Sequence, residues 1–84
     1  MPKYLDHHKP PEGITDEALQ QMRTDLQAGK TTPNGVKGIN AFIGPNDAWC
    51  LVEAPNPQVV HDLHREAYGI ELGPGDVVEV KSIV

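Results

Sequence analysis

Two helix signals, each closed at both ends by its own punctuation, divide this 84-residue chain and leave only short extended segments around them. Thr15 stands as an N-cap ahead of Asp16 and Glu17, whose carboxylates suit the positive end of a helix dipole. Leu19, Met22 and Leu26 follow at i, i+3 and i+7, joined by Ala18, and Gly29 supplies the stop. This spacing predicts a helix over 16–28. A second helix opens at Asn56-Pro57, with Asn as the cap and Pro in the first turn. Val60, Leu63 and Ala67 form its apolar stripe and Gly69 closes it.

The remaining segments read as strands. Lys3 to His8 is a short, polar strand set between Pro2 and Pro10-Pro11. Lys30 to Gly35 is a polar loop. From Val36 the chain alternates, Ile39, Ala41 and Ile43 on one face and Asn40 and Phe42 on the other. Gly44-Pro45-Asn46-Asp47 is dense turn chemistry, and the apolar run Ala48 to Ala54 completes a hairpin. After Gly73-Pro74-Gly75, Asp76 to Val84 reads as the last strand.

A β-α-β-β-α-β order is the split βαβ of the ferredoxin-like fold, an α+β class. Residues 1–84 then form a single domain whose right-handed crossovers put both helices on one face of a four-stranded antiparallel sheet. The first and third strands take the centre. The uncovered sheet face is expected to carry Phe42, Trp49 or Cys50, and Leu51 or Val52, with polar Asn40, Glu53 and Glu79. A half-apolar face of this kind is usually closed by a second subunit. Cys50 is the only cysteine, so no disulfide compensates for the thin core of so small a chain. A homodimer is expected.

Hydrophobic residues at 38% and charged residues at 23% are ordinary globular values, which excludes a disordered chain. The net charge of −5 and the scattering of seven basic residues from Lys3 to Lys81 argue against nucleic acid, which needs clustered cations. The longest apolar runs are a few residues, far short of the ~20 a membrane span needs. The absence of a secretory leader and the lone cysteine suit a reducing compartment, and the cytoplasm is the expected location. Gly35-Val36-Lys37-Gly38 and Gly73-Pro74-Gly75 lack the strand-to-helix setting of a phosphate cradle, so no nucleotide or flavin site is indicated.

The four histidines carry the chemistry. His7 and His8 lie in the opening strand, His61 and His64 on the last helix, and those two elements pack together in the expected fold. Neighbours on a strand point to opposite faces, so one of the first pair faces the helices. His8 shares its face with Tyr4 and Asp6, and is favoured over His7, which shares the face of Leu5. His61 and His64 are surface neighbours at i, i+3, with His64 bordering the apolar stripe. Imidazole is the commonest metal ligand and a proton carrier near neutral pH. The plainer expectation is a buried His64 bonded to a backbone carbonyl. Cys50 reads first as core, second as a soft ligand, and Glu53 as a solvated carboxylate, a hard ligand or a base.

The residues also resemble a known family. Met1-Pro2-Lys3-Tyr4-Leu5, followed by Pro11-x-Gly13-Ile14-Thr15, is similar to the first strand and helix cap of a small nickel-binding-protein-like family of ferredoxin-like proteins. The run from Trp49-Cys50 to Glu53-Ala54-Pro55-Asn56 resembles their third strand. His64, Gly69-Ile70 and Val77-x-Glu79-Val80 resemble their second-helix histidine, glycine and closing strand. The resemblance implies a subunit that pairs into a dimeric α/β barrel with a transition-metal site, His64 being the family histidine.

The leading expectation is thus a small cytoplasmic homodimer binding a divalent transition metal, nickel first and zinc or copper behind. His8 and His64 are its core ligands, His7 and His61 further candidates, and Glu53 an additional one; open positions would leave room for a small-molecule ligand. The alternative is a cofactor-independent enzyme of monooxygenase, isomerase or cyclase type. There His64 or His8 would act as general base in an apolar pocket over the sheet, with Asn40, Phe42, Trp49 and Glu53 around it. A dimer without chemistry is the plainest option.

Overall fold

A computed structural model describes residues 1–10 and 12–83 of the chain. Its elements run β1 (Lys3–His8), α1 (Asp16–Ala28), β2 (Lys37–Ile43), β3 (Ala48–Glu53), α2 (Pro57–Tyr68) and β4 (Val77–Val80). The strands form one antiparallel sheet in the order β2-β3-β1-β4, so β1 and β3 take the centre. The fold is α+β, with two helices and a four-stranded antiparallel sheet. No helix of the described residues is long and apolar enough to cross a membrane.

Both helices start and stop where their punctuation dictates. The Thr15 hydroxyl accepts from the Ala18 N–H at 3.1 Å and the Asn56 side chain from the Val59 N–H at 3.1 Å. Gly29 and Gly69 end the helices at φ of 66°, a left-handed conformation that costs glycine nothing.

Register fixes which side chain faces which layer. Tyr4 pairs with Val52, Asp6 with Cys50 and His8 with Ala48, so these six share the helix-covered face. His7 pairs with Trp49 and Leu5 with Leu51 on the other face. Of the residues expected on the uncovered face, Phe42, Trp49, Leu51 and Glu53 are there. Cys50 and Val52 are on the helix side, and so is Glu79, opposite Tyr4. The core of Tyr4, Val36, Val52, Ala54 and Val60 sits between the sheet and α2.

Two strands depart from the expectation. In β2 the register shifts between Gly38 and Asn40, making Ile39 the extra residue of a bulge. The last strand begins at Val77, not Asp76, and ends at Val80, short of Val84. The Asp76 carboxylate accepts the Gly73 N–H at 2.7 Å and so belongs to the turn. At the other end Val80 pairs with Lys3, and upstream of Lys3 stands Pro2, which has no N–H and whose carbonyl already accepts from Ala54 at 3.1 Å. Residues 81–83 therefore continue outside the strand. Pro11, expected to help stop the first strand, and Val84 lie outside the described residues.

Candidate metal centre

The central strand places three alternating side chains, Tyr4, Asp6 and His8, beneath the helices. Across the ladder Cys50 stands opposite Asp6, and α2 lowers His64 onto the same spot. One donor atom from each of Asp6, His8, Cys50 and His64 lies within 4.8 Å of all the others, and no second such group exists among the described residues. His64 Nε2 is 3.3 Å and His8 Nε2 3.6 Å from Asp6 Oδ1, and Cys50 Sγ is 4.0 Å from His8 Nε2. The two imidazole centroids are 5.1 Å apart, joining residues that are 56 positions apart in sequence.

Both rings are held the same way. The Nδ1–H of His64 donates to the Val60 carbonyl at 2.8 Å, one helical turn back. The Nδ1–H of His8 donates to the Lys9 carbonyl at 2.7 Å. A carbonyl can only accept, so the proton is fixed on Nδ1 and each Nε2 is aimed into the cluster. A backbone carbonyl holding the other ring nitrogen is how metal-ligating histidines are commonly oriented.

Asp6 shows that the cluster is incomplete as protein alone. It is fully buried, and its carboxylate oxygens meet no donor outside the cluster itself, only the Nε2 atoms of His64 and His8 and the Cys50 thiol. Burying such a group without partners costs several kcal/mol in round terms (~2–7), unless a cation sits beside it. Metal–nitrogen, –oxygen and –sulfur bonds of roughly 2.0–2.3 Å set donors on opposite sides of an ion roughly 4 Å apart, close to the span observed. The donor set and its spacing fit a divalent transition ion.

Protonation follows from the same contacts. Burial pushes the Cys50 thiol up to about 12, and the charge and hydrogen bond of Asp6 add to it, so Cys50 is a neutral thiol in the metal-free protein. At His64 burial works against the imidazolium, but the hydrogen bond and charge of Asp6, with the Val60 carbonyl, outweigh it and raise the pKa above its usual value. The pair Asp6–His64 is thus a stand-in arrangement in which a proton on Nε2 occupies the place of a cation. Tyr68 stands edge-on to His64 at 5.7 Å.

The structure separates the other candidates from this group. His7 projects from the opposite face, where its Nε2 meets Asp47 at 2.8 Å and its ring stacks on Trp49 at 5.2 Å. His61, half-buried on α2, is outside the cluster. Glu53 faces the uncovered side, 3.9 Å from Lys3 Nζ. Phe42 and Trp49 pair with each other on that face too, so they do not line a pocket with His8 or His64; strand alternation sets them on the wrong side. Asn40, opposite Leu51 and beside the bulge, folds its amide oxygen onto the Ala41 N–H at 2.8 Å and is the one of the expected pocket residues that lines a cavity with Cys50 and His64. Sequence reading passed over Asp6 as a ligand and ranked Cys50 as core. The signal for Asp6 was its place two residues before His8 in a central strand; Cys50 needed the hairpin register.

A family model described as nickel responsive protein SCO4226-like matches residues 4–80, nearly the whole chain. No curated protein and no solved structure matches.

Proposed function

Because the chain belongs to the SCO4226-like family of nickel responsive proteins, we propose that it binds a divalent transition metal, nickel first, through Asp6, His8, Cys50 and His64. The observation that carries this reading is a buried carboxylate that meets no donor beyond the cluster, ringed by two imidazoles whose Nε2 atoms are aimed at it by backbone tethers. Two nitrogens, a sulfur and an oxygen suit nickel, zinc and copper, and disfavour magnesium and calcium, which take all-oxygen shells. A bound ion would take the place of the His64 proton beside Asp6. The chain's own residues do the rest: Val60 and Lys9 hold the rings, and Cys50 gives up its proton on loading, so uptake strengthens as pH rises.

The protein works as a cytoplasmic homodimer with a ferredoxin-like subunit. What supports the pairing is the uncovered sheet face, where Phe42 and Val78 are each 54% exposed beside half-buried Leu5, Trp49 and Leu51. Phe42→Glu is expected to yield a monomer by light scattering; an unchanged mass refutes this interface.

The metal reading is tested on protein purified without a histidine tag. Elemental analysis is expected to find about one ion per chain. Calorimetry with nickel is expected to show His64→Ala and Cys50→Ala weakened at least ~100-fold, since losing even a group that only orients a ligand costs roughly 10–100-fold. His7→Ala and His61→Ala should stay within about threefold of wild type. Equal binding by His64→Ala and wild type would overturn the proposal.

A further inference from the structure

The metal centre is walled by protein on the sheet side, but on the helix side it opens into a cavity. Between α1 and α2 lies a space of about 140 Å³, with Cys50 and His64 at its floor and Met22, Leu26, Leu63 and Tyr68 among its walls. A cavity of ~150 Å³ lined by aliphatic side chains takes a molecule the size of benzene. The void is therefore room for one small ring, and it touches two of the four proposed ligands.

We infer that this cavity is a binding site for a small, flat, neutral molecule carrying one ring nitrogen, seated with that nitrogen toward Cys50 and His64. This inference rests on the metal reading above and adds the compartment beside it. The chemistry selects the class. Carbon and thioether walls from Met22, Leu26 and Leu63 disfavour a charged ligand, and the one carboxylate in the lining, Asp25, is already engaged by Gln21 and Lys30. The volume limits the occupant to about one small ring. The other polar lining groups, Asp25 and Asn40, have an oxygen bonded to Gln21 and Lys30 and to the Ala41 N–H, so the floor is the end that a neutral lone-pair donor benefits from facing. Tyr68 stands at the rim, 62% exposed and edge-on to His64 at 5.7 Å, placed to cover the ring once it enters. Met22, on a helix none of whose residues is buried, can adjust its three rotatable bonds to the occupant.

Imidazole is the probe, and zinc the loading ion, because it is diamagnetic. Methyl NMR of zinc-loaded protein titrated with imidazole is expected to show saturable shifts at Met22, Leu26 and Leu63, with Leu5 and Leu51 on the far sheet face unmoved. Met22→Phe fills the cavity and should weaken imidazole about tenfold, 1.4 kcal/mol by the usual conversion, while zinc affinity by calorimetry stays within about threefold. Tyr68→Ala, at an exposed rim position, should weaken imidazole roughly threefold and serves if Met22→Phe loses the fold. Unsaturated shifts, shifts spread evenly over both sheet faces, undiminished affinity in Met22→Phe, or zinc stripped by imidazole each overturn the inference. A protein that takes up no zinc overturns the metal reading with it; one that takes up zinc and ignores imidazole overturns this inference alone.

Discussion

The two helices have nearly equal length and lie on the same side of the sheet, yet they are packed to different standards. Val60 and His64 of α2 are 0% and 2% exposed, and Val60 belongs to one core with Tyr4 and Val52 of the central strands. None of the residues of α1 is buried, and Leu19, the first member of its stripe, remains 38% exposed. The cause lies in what each helix meets. Across from α2 are Tyr4 and Val52; across from α1 is the edge strand β2, where Gly38 lets Leu26 approach closely and Ala41 offers only a methyl to the neighbouring space. A gap of about 540 Å³ between Leu19, Met22, Leu26, Ile39 and Ile43 is the result. The proposed metal ligands all come from the tightly packed half, which suits groups that must be held in place, while the loose half forms the cover.

The contrast can be broken first by truncation. Val60→Ala should cost about 2 kcal/mol in urea unfolding, the scale of a buried aliphatic truncation, and Leu19→Ala less than about 0.5 kcal/mol. Equal costs would mean that α1 is seated as firmly as α2. Hydrogen exchange sharpens the same point without mutation. Amides of α1 are expected to exchange by local opening well before those around Val60 and His64, which open only with the whole fold.

A pH series addresses the tight half alone. In the metal-free protein the folded His64 holds its proton more tightly than the usual 6.5, because the bond and charge of Asp6 outweigh burial. A raised folded value means that this stabilisation is fully present below pH 6.5 and is lost as pH rises through the folded pKa. The urea midpoint of wild type should therefore fall over that interval, and His64→Gln should flatten it. A wild-type midpoint that rises there would reverse the sign and remove the Asp6–His64 pair from the account. The smallest effect belongs to the loose half. A Cβ on Gly38 would come within 2.6 Å of Leu26 Cδ2, the far end of a flexible side chain on α1. Gly38→Ala is expected to shift stability by under about 1 kcal/mol, with nickel affinity unchanged, because α1 can give way.

Local chemistry was legible residue by residue. Thr15, Gly29, Asn56-Pro57 and Gly69 delimit their helices through backbone groups a few positions away, and the turn at Gly44–Asp47, closed by the Gly44 N–H to the Asp47 carbonyl at 2.7 Å, is equally local. The alternation of a strand likewise separates His7 from His8 before any partner is known. Where strand pairing intervenes, that legibility ends. The bulge at Ile39 and the early end of the last strand depend on neighbours distant in sequence, and nothing around residues 36–43 or 81–83 announces them.

What the sequence by itself determined is therefore the order and span of the helices, the antiparallel alternation, and the two faces of the opening strand, since each rests on contacts within a few residues. Only the tertiary structure decided that Cys50 stands across from Asp6, that His64 descends onto both, and that Glu53, Trp49 and Phe42 look the other way. Those choices are set by ladder register and by the docking of α2. A change of one residue in register would turn every side chain of β3 to the opposite face.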